Sequence, residues 1–127
     1  MIVLEGTPGA GKTTLAGWLL AAAPDRVVVF PEAQPPSETS CDAMTVRALL
    51  DEDRSRVTVA GRVAATAPGA LIVSDRCHLG VLAYRYARAV TGRGPREDFE
   101  HARALCDRYQ LHTAHAGDHL VVQLLDP

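Results

Sequence analysis

Residues 6–13 read Gly-Thr-Pro-Gly-Ala-Gly-Lys-Thr, between the apolar run Met1–Glu5 and an Ala/Leu-rich stretch from Lys12 to Ala23 that Pro24 stops. No other feature constrains the fold as strongly. A strand feeding a glycine loop that opens a helix is the first half of a crossover unit, whose next strand lies parallel to the first. The loop satisfies the spacing G-x-x-x-x-G-K-[ST] in full. Its glycines let backbone N–H groups curl round phosphate oxygens, and the helix N-terminus adds partial positive charge. Gly6, Thr7, Pro8, Gly9, Ala10, Gly11, Lys12, Thr13 and Thr14 are therefore expected to hold ATP. Lys12 would reach the β- and γ-phosphates, the Thr13 hydroxyl would ligate Mg2+, and Thr14 would touch the α-phosphate.

The rest of the chain repeats this alternation. "RVVVF" (26–30) is a β-branched run before Pro31, and "PEAQPPSETS" (31–40) is a loop. Apolar residues then recur at helical spacing from about 41 to 67, through Val46, Leu49, Leu50, Val57, Ala60, Val63 and Ala64. "ALIVSD" (70–75) is a third strand, a helix follows over about 79–90, and "TGRGPRED" (91–98) is a loop. One helix is predicted over about 97–115, with Phe99, Ala102, Leu105, Cys106 and Tyr109 on one stripe, closed by Gly117. "HLVVQLLDP" (119–127) is a fourth strand. Continuous apolar strands alternating with helices predict an α/β fold on a mostly parallel sheet, and 127 residues suit a single domain. Ligands in such sheets sit at the carboxyl ends of the strands, so 6–13, 32–40 and 75–80 should converge.

Composition excludes several classes. A net charge of −2 gives no electrostatic reason for nucleic acid or an anionic membrane as main partner, and no apolar run reaches the length of a membrane span. Cys41, Cys77 and Cys106 are odd in number and far apart, which argues for reduced thiols in a cytosolic setting. The start of the chain shows no signal-peptide pattern. Of the 13 basic residues twelve are arginine, and the single lysine is Lys12, where a compact ammonium serves differently from a planar guanidinium.

The other strand ends carry candidate chemistry. Asp75 ends the third strand, where a carboxylate would hold Mg2+ through water and pair electrostatically with Lys12; otherwise it is a helix N-terminal acid favoured by the dipole. Arg76 either clamps phosphate bidentately or pairs with Glu32 or Asp75. "IVSDRCHLGVLAYRY" (72–86) resembles the thymidylate kinase segment D-R-[YFH]-x-x-S-x-x-A-Y-Q, with Asp75, Arg76, Ala83 and Tyr84 at matching spacing. "LEGTPGAGKTTL" is similar to that family's opening, and "DEDRSRV" (51–57) to its A-D-R-A-Q-H stretch. The related deoxynucleoside kinases carry a glutamate after strand two, which "FPEAQPP" supplies as Glu32. Gly80 and Arg85 depart from the Ser and Gln that help read the base in thymidylate kinases.

The resemblance implies a P-loop three-layer α/β/α fold and transfer of the γ-phosphoryl group of Mg-ATP to a nucleotide or nucleoside. It implies catalytic roles for Lys12, Glu32, Asp75 and Arg76, acceptor contacts from Glu32, Arg54 (or Arg56), Arg76 and Tyr84, and metal ligands in Thr13 and Asp75. That family continues into an Arg-rich lid and a fifth strand beyond the point where this sequence stops. The expectation is therefore impaired turnover, and an exposed fourth-strand edge that favours a homodimer. Two other readings stay open: a P-loop kinase of another hydroxyl compound, such as an antibiotic or metabolite, and a nucleotide-binding module without transfer. A GTP switch is disfavoured because no N-K-x-D segment is present. His112, His115 and His119 lie close in sequence, but with no carboxylate partner in view and Gly117 between them they are not expected to form a metal site.

Overall fold

The computed structural model describes residues 1–34, 42–116 and 120–124. Four strands, β1 (Ile2–Gly6), β2 (Val27–Phe30), β3 (Leu71–Asp75) and β4 (Leu120–Leu124), form one sheet in the order β2-β3-β1-β4. Every pairing is parallel, with Leu4 opposite Asp75 on one side and Val122 on the other. The helices are α1 (Lys12–Ala22), α2 (Asp42–Thr66), α3 (His78–Val90), α4 (Arg96–Arg108) and α5 (Leu111–Ala114). The parallel α/β sheet expected from the alternation is the one observed, with β4 at the edge beside β1.

Side chains alternate across a strand, so Leu4, Val27 and Val73 share one face and bury against Ala16 of α1. Leu15 and Leu19 of α1 pack on the same cluster. A second cluster joins Val46 and Leu50 of α2 to Ala102, Leu105 and Cys106 of α4 and to Leu111 of α5. Val81 and Leu82 of α3 pack against it. Parallel pairing with β1 fixes the height at which residues 71–75 end.

The helix expected over about 97–115 is two helices. At about 100° per residue, position 111 lies on the opposite side of a straight helix from Ala102, facing away from the core. Gln110 takes a left-handed conformation (φ 54°, ψ 34°), ends the regular turn after Tyr109, and swings Leu111 into full burial. Burying a leucine is worth about 1.5–3 kcal/mol, which offsets the roughly 1–2 kcal/mol of one left-handed residue. The same turn carries His112 and His115 toward the start of α3. Gly117, His119 and Cys41 lie outside the described residues.

Candidate functional site

The loop after β1 keeps the backbone that its glycines permit. Gly9 and Gly11 stand at φ 85° and 86°, where a side chain would be strained, and Gly11 directly precedes α1. Lys12 is the first helical residue and is buried. Its ammonium donates to the carbonyls of Thr7 (2.8 Å) and Gly6 (3.3 Å), so it folds back over the loop that precedes it. Thr13 and Asp75, 62 positions apart, meet directly: the Thr13 hydroxyl donates to Asp75 Oδ2 at 2.7 Å. Asp75 Oδ1 is buried without a hydrogen-bond partner. A hydroxyl beside a carboxylate with an unused oxygen is a hard-oxygen donor set, which fits Mg2+ better than a softer metal.

Beyond Asp75 the chain turns sharply. Arg76 has φ 71°, uncommon for a residue with a side chain and costing about 1–3 kcal/mol. Surrounding bonds impose it: Arg76 N–H donates to Leu4 O at 2.9 Å, and the Ser74 hydroxyl to Arg76 O at 3.0 Å. The turn aims the guanidinium across the strand ends at Glu32, whose Oε1 accepts from Nε at 2.6 Å. The ion pair with Glu32, one of the two alternatives for Arg76, is therefore formed. It is open to solvent, with side-chain exposures of 27% and 43%, so exchanging it for a ligand costs little.

Nothing in the sequence marks Glu5, yet it organises the same corner. Its Oε1 accepts the Cys77 backbone N–H at 2.9 Å, and its Oε2 lies 4.0 Å from Arg76. A Cβ on Gly80 would stand 2.8 Å from Glu5 Oε2, so a serine there would displace a carboxylate already held by Cys77. That close approach is a physical reason for glycine at position 80.

Two clefts meet at this corner. The smaller, about 310 Å3, is lined by the loop from Pro8 to Thr14 together with Glu32 and Arg76. The larger, about 500 Å3, lies between α2 and α3 and is within the usual range for small-molecule sites. Pro8, Glu32 and Arg76 line both. Tyr84 borders the larger cleft and is 59% exposed, and Arg85 and Arg88 approach its ring at 5.4 and 5.9 Å. Both arginines also face Asp42, at 3.2 and 3.4 Å. Arg54 is not brought to the cleft: it is exposed on the far side of α2, 5.0 Å over the Tyr109 ring. Arg56 takes the position expected of Arg54. It is buried, lines the cleft, and donates to Pro31 O, Asp75 O and the Ser74 hydroxyl.

Asp53 and Arg56 interrupt the buried stripe Val46, Leu50, Ala60 of α2, and His78 and Arg85 are buried on α3. Charged residues at positions whose periodicity demands burial were the available sequence signal for this cleft, because such groups need partners. Burial pushes the Asp53 carboxyl up, but its contacts with His115 and with His78, the His78 backbone N–H included, outweigh it and hold the group well below the usual carboxylate range.

Cys77 caps α3 by accepting the Leu79 N–H at 3.5 Å, and burial pushes its thiol far up. Burial likewise raises Cys106, to about 11. Both should stay protonated at pH 8 and alkylate at least about 100-fold more slowly than an unperturbed thiol. Peptide mass spectrometry after iodoacetamide treatment checks this, with full labelling expected only in denaturant.

Among the described residues no helix is long and apolar enough to cross a membrane. No protein-family model matches the chain, and no curated protein is significantly similar to it.

Proposed function

We propose that the chain is an ATP-dependent phosphotransferase of the P-loop three-layer α/β/α type, acting on a nucleotide or nucleoside. One observation carries this reading: the cleft at the glycine loop and the larger cleft between α2 and α3 adjoin, and Glu32 and Arg76 stand on their shared border. A switch needs one such cleft, whereas a transferase needs a donor and an acceptor side by side. In the proposed reaction the acceptor oxygen attacks the γ-phosphorus and the bond to the β-phosphate oxygen breaks; a nucleoside hydroxyl passes its proton to the Glu32 carboxylate, whereas a nucleotide's phosphate oxygen attacks already deprotonated. Lys12 and Arg76 offset charge on the transferring group, acting mainly by position and electrostatics. Mg2+ held by Thr13 and Asp75 would supply further neutralisation of phosphate charge. A cytosolic setting and pairing of two copies along the β4 edge belong to the same reading.

For this chemistry the Glu32–Arg76 pair must open as the acceptor arrives, which its exposure makes inexpensive. The test is ADP release from Mg-ATP against nucleoside monophosphates, nucleosides and unrelated hydroxyl compounds. Stimulation by one nucleotide class is expected, falling about 10²–10³-fold in kcat/KM in Arg76→Ala. Stimulation by an unrelated hydroxyl compound alone would reassign the acceptor. ATP binding with no acceptor response would make the chain a nucleotide-binding module.

A further inference from the structure

In the wall of the larger cleft, which Asp53 lines, lies a cluster to which the proposed phosphoryl transfer assigns no role. Asp53 of α2, His78 at the start of α3 and His115 just after α5 bring one donor atom each to within 4.8 Å of one another. His115 Nε2 is 2.9 Å from Asp53 Oδ2, and His78 Nδ1 is 3.3 Å from the same oxygen. His78 Nε2 is hydrogen-bonded to His112 Nδ1 at 3.0 Å, and His112 Nε2 lies 3.9 Å from Asp107 Oδ1. All three central side chains are more than nine-tenths buried.

The proton between His78 and His112 has two placements, set by the tautomers of the two rings. If His78 Nε2–H donates to His112 Nδ1, then His112 carries its own proton on Nε2 and directs it toward Asp107. Both outer contacts are then favourable, and the lone pair of His78 falls on Nδ1, facing Asp53. The opposite tautomers would put the His78 proton on Nδ1, toward Asp53 Oδ2, and turn a bare His112 nitrogen toward the Asp107 carboxylate. In the first arrangement, the one a metal would take, a lone pair on His78 Nδ1 meets a carboxylate oxygen at 3.3 Å inside the protein. Neither His78 Nδ1 nor Asp53 Oδ1 makes a hydrogen bond, although both are fully buried. Unsatisfied buried polar atoms are rare and costly, and His78 Nδ1, which faces Asp53 Oδ2, calls for a partner.

From this we infer that Asp53, His78 and His115 form a binding site for a divalent transition-metal ion of the zinc class. Two imidazoles and a carboxylate suit Zn2+ or Co2+ and do not suit Mg2+ or Ca2+, which take oxygen ligands. With the metal on His78 Nδ1, His112 Nδ1 would accept the Nε2–H of His78 at 3.0 Å and so hold the tautomer a metal-ligating histidine needs. The site ties α2, α3 and the end of α5 together. It is separate from the Thr13–Asp75 pair and does not depend on the phosphotransferase reading. A bare Asp53 capping α3 through the His78 backbone N–H (3.0 Å) is the competing account, and it needs no metal.

The whole protein, stripped with chelator and free of nucleotide, is titrated with Co2+ and followed by visible absorption, then with Zn2+ in excess Mg2+. Binding of one equivalent is expected, with four-coordinate ligand-field bands that Zn2+ abolishes and a rise in Tm on Zn2+ addition. His115→Gln should lose stoichiometric binding. His112→Gln, altered at a half-exposed residue that is no ligand, should keep its fold and bind about 10–100-fold more weakly. No one-equivalent binding by the wild-type chain overturns the site, as does an unchanged stoichiometry and affinity in both variants.

Discussion

Lys12→Ala is expected to weaken Mg-ATP binding by at least about 100-fold in calorimetric titration, corresponding to roughly 2.7 kcal/mol. The figure follows from the bonds at stake. Hydrogen bonds from a charged donor are worth about 1.5–3 kcal/mol each, and an ammonium held between two loop carbonyls is poised to exchange them for phosphate oxygens. Lys12 is buried, so it reaches that position with little motional freedom left to lose. Lys12→Arg is expected to rescue poorly, because a planar fork does not fit between carbonyls that a compact ammonium spans. The alanine variant also leaves the Gly6 and Thr7 carbonyls without this donor, so thermal unfolding must show a folded protein before the titration is read. Unchanged affinity in a folded Lys12→Ala chain would remove the loop from nucleotide binding altogether, and the proposed function with it.

What the sequence disclosed and what it concealed divide along a physical line. The strands and most helices were legible because their signals are local: "LIVSD" is apolar over most of its length, and Gly6 to Thr13 fixes strand, loop and helix within a dozen residues. The break at Gln110 was not legible, because no glycine or proline marks it. It exists to bury Leu111 against α2, some sixty residues upstream. The meeting of Thr13 with Asp75, and of Glu32 with Arg76, comes from strand ends converging at one edge of a parallel sheet. That rule foresaw the convergence and offered Arg76–Glu32 as one alternative, but not the direct bond from Thr13 to Asp75. The side-chain choice between Arg54 and Arg56 was beyond it. Both stand on one helix two residues apart, and only the packing of α2 decides that position 56 faces β3 while position 54 faces Tyr109.

The histidines show the same limit from the other side. No carboxylate partner for His112 and His115 is evident in the sequence, and the one that His115 meets, Asp53, stands on α2. His112 joins the same cluster through His78. The signal was present in a different form. Asp53 and Arg56 lie on the buried stripe of a long helix, and a charge at such a position implies a partner even when the partner cannot be named.

Arg56 gives the second large expected effect. Its guanidinium bonds Pro31 O just beyond β2, and Ser74 Oγ and Asp75 O at the end of β3, from a buried position on α2. One planar group therefore fixes the spacing of the two strand ends that carry Glu32 and Arg76. Arg56→Met keeps most of the side-chain length and removes every donor, leaving acceptors around the lost guanidinium without a partner. At about 1–3 kcal/mol for each buried acceptor left unsatisfied, the variant should lose roughly 3–5 kcal/mol in urea unfolding. Arg56→Lys should recover only part of this, because three donors on one nitrogen cannot reach acceptors spread across two strands. The lesion also predicts a split that a merely structural loss elsewhere would not produce. Under conditions where Arg56→Met remains folded, ATP affinity should stay near wild type, since Arg56 does not line the loop cleft, while acceptor-dependent turnover falls. A stability change below about 1 kcal/mol would mean that solvent replaces the guanidinium without strain. The strand ends would then be positioned by β2–β3 pairing alone.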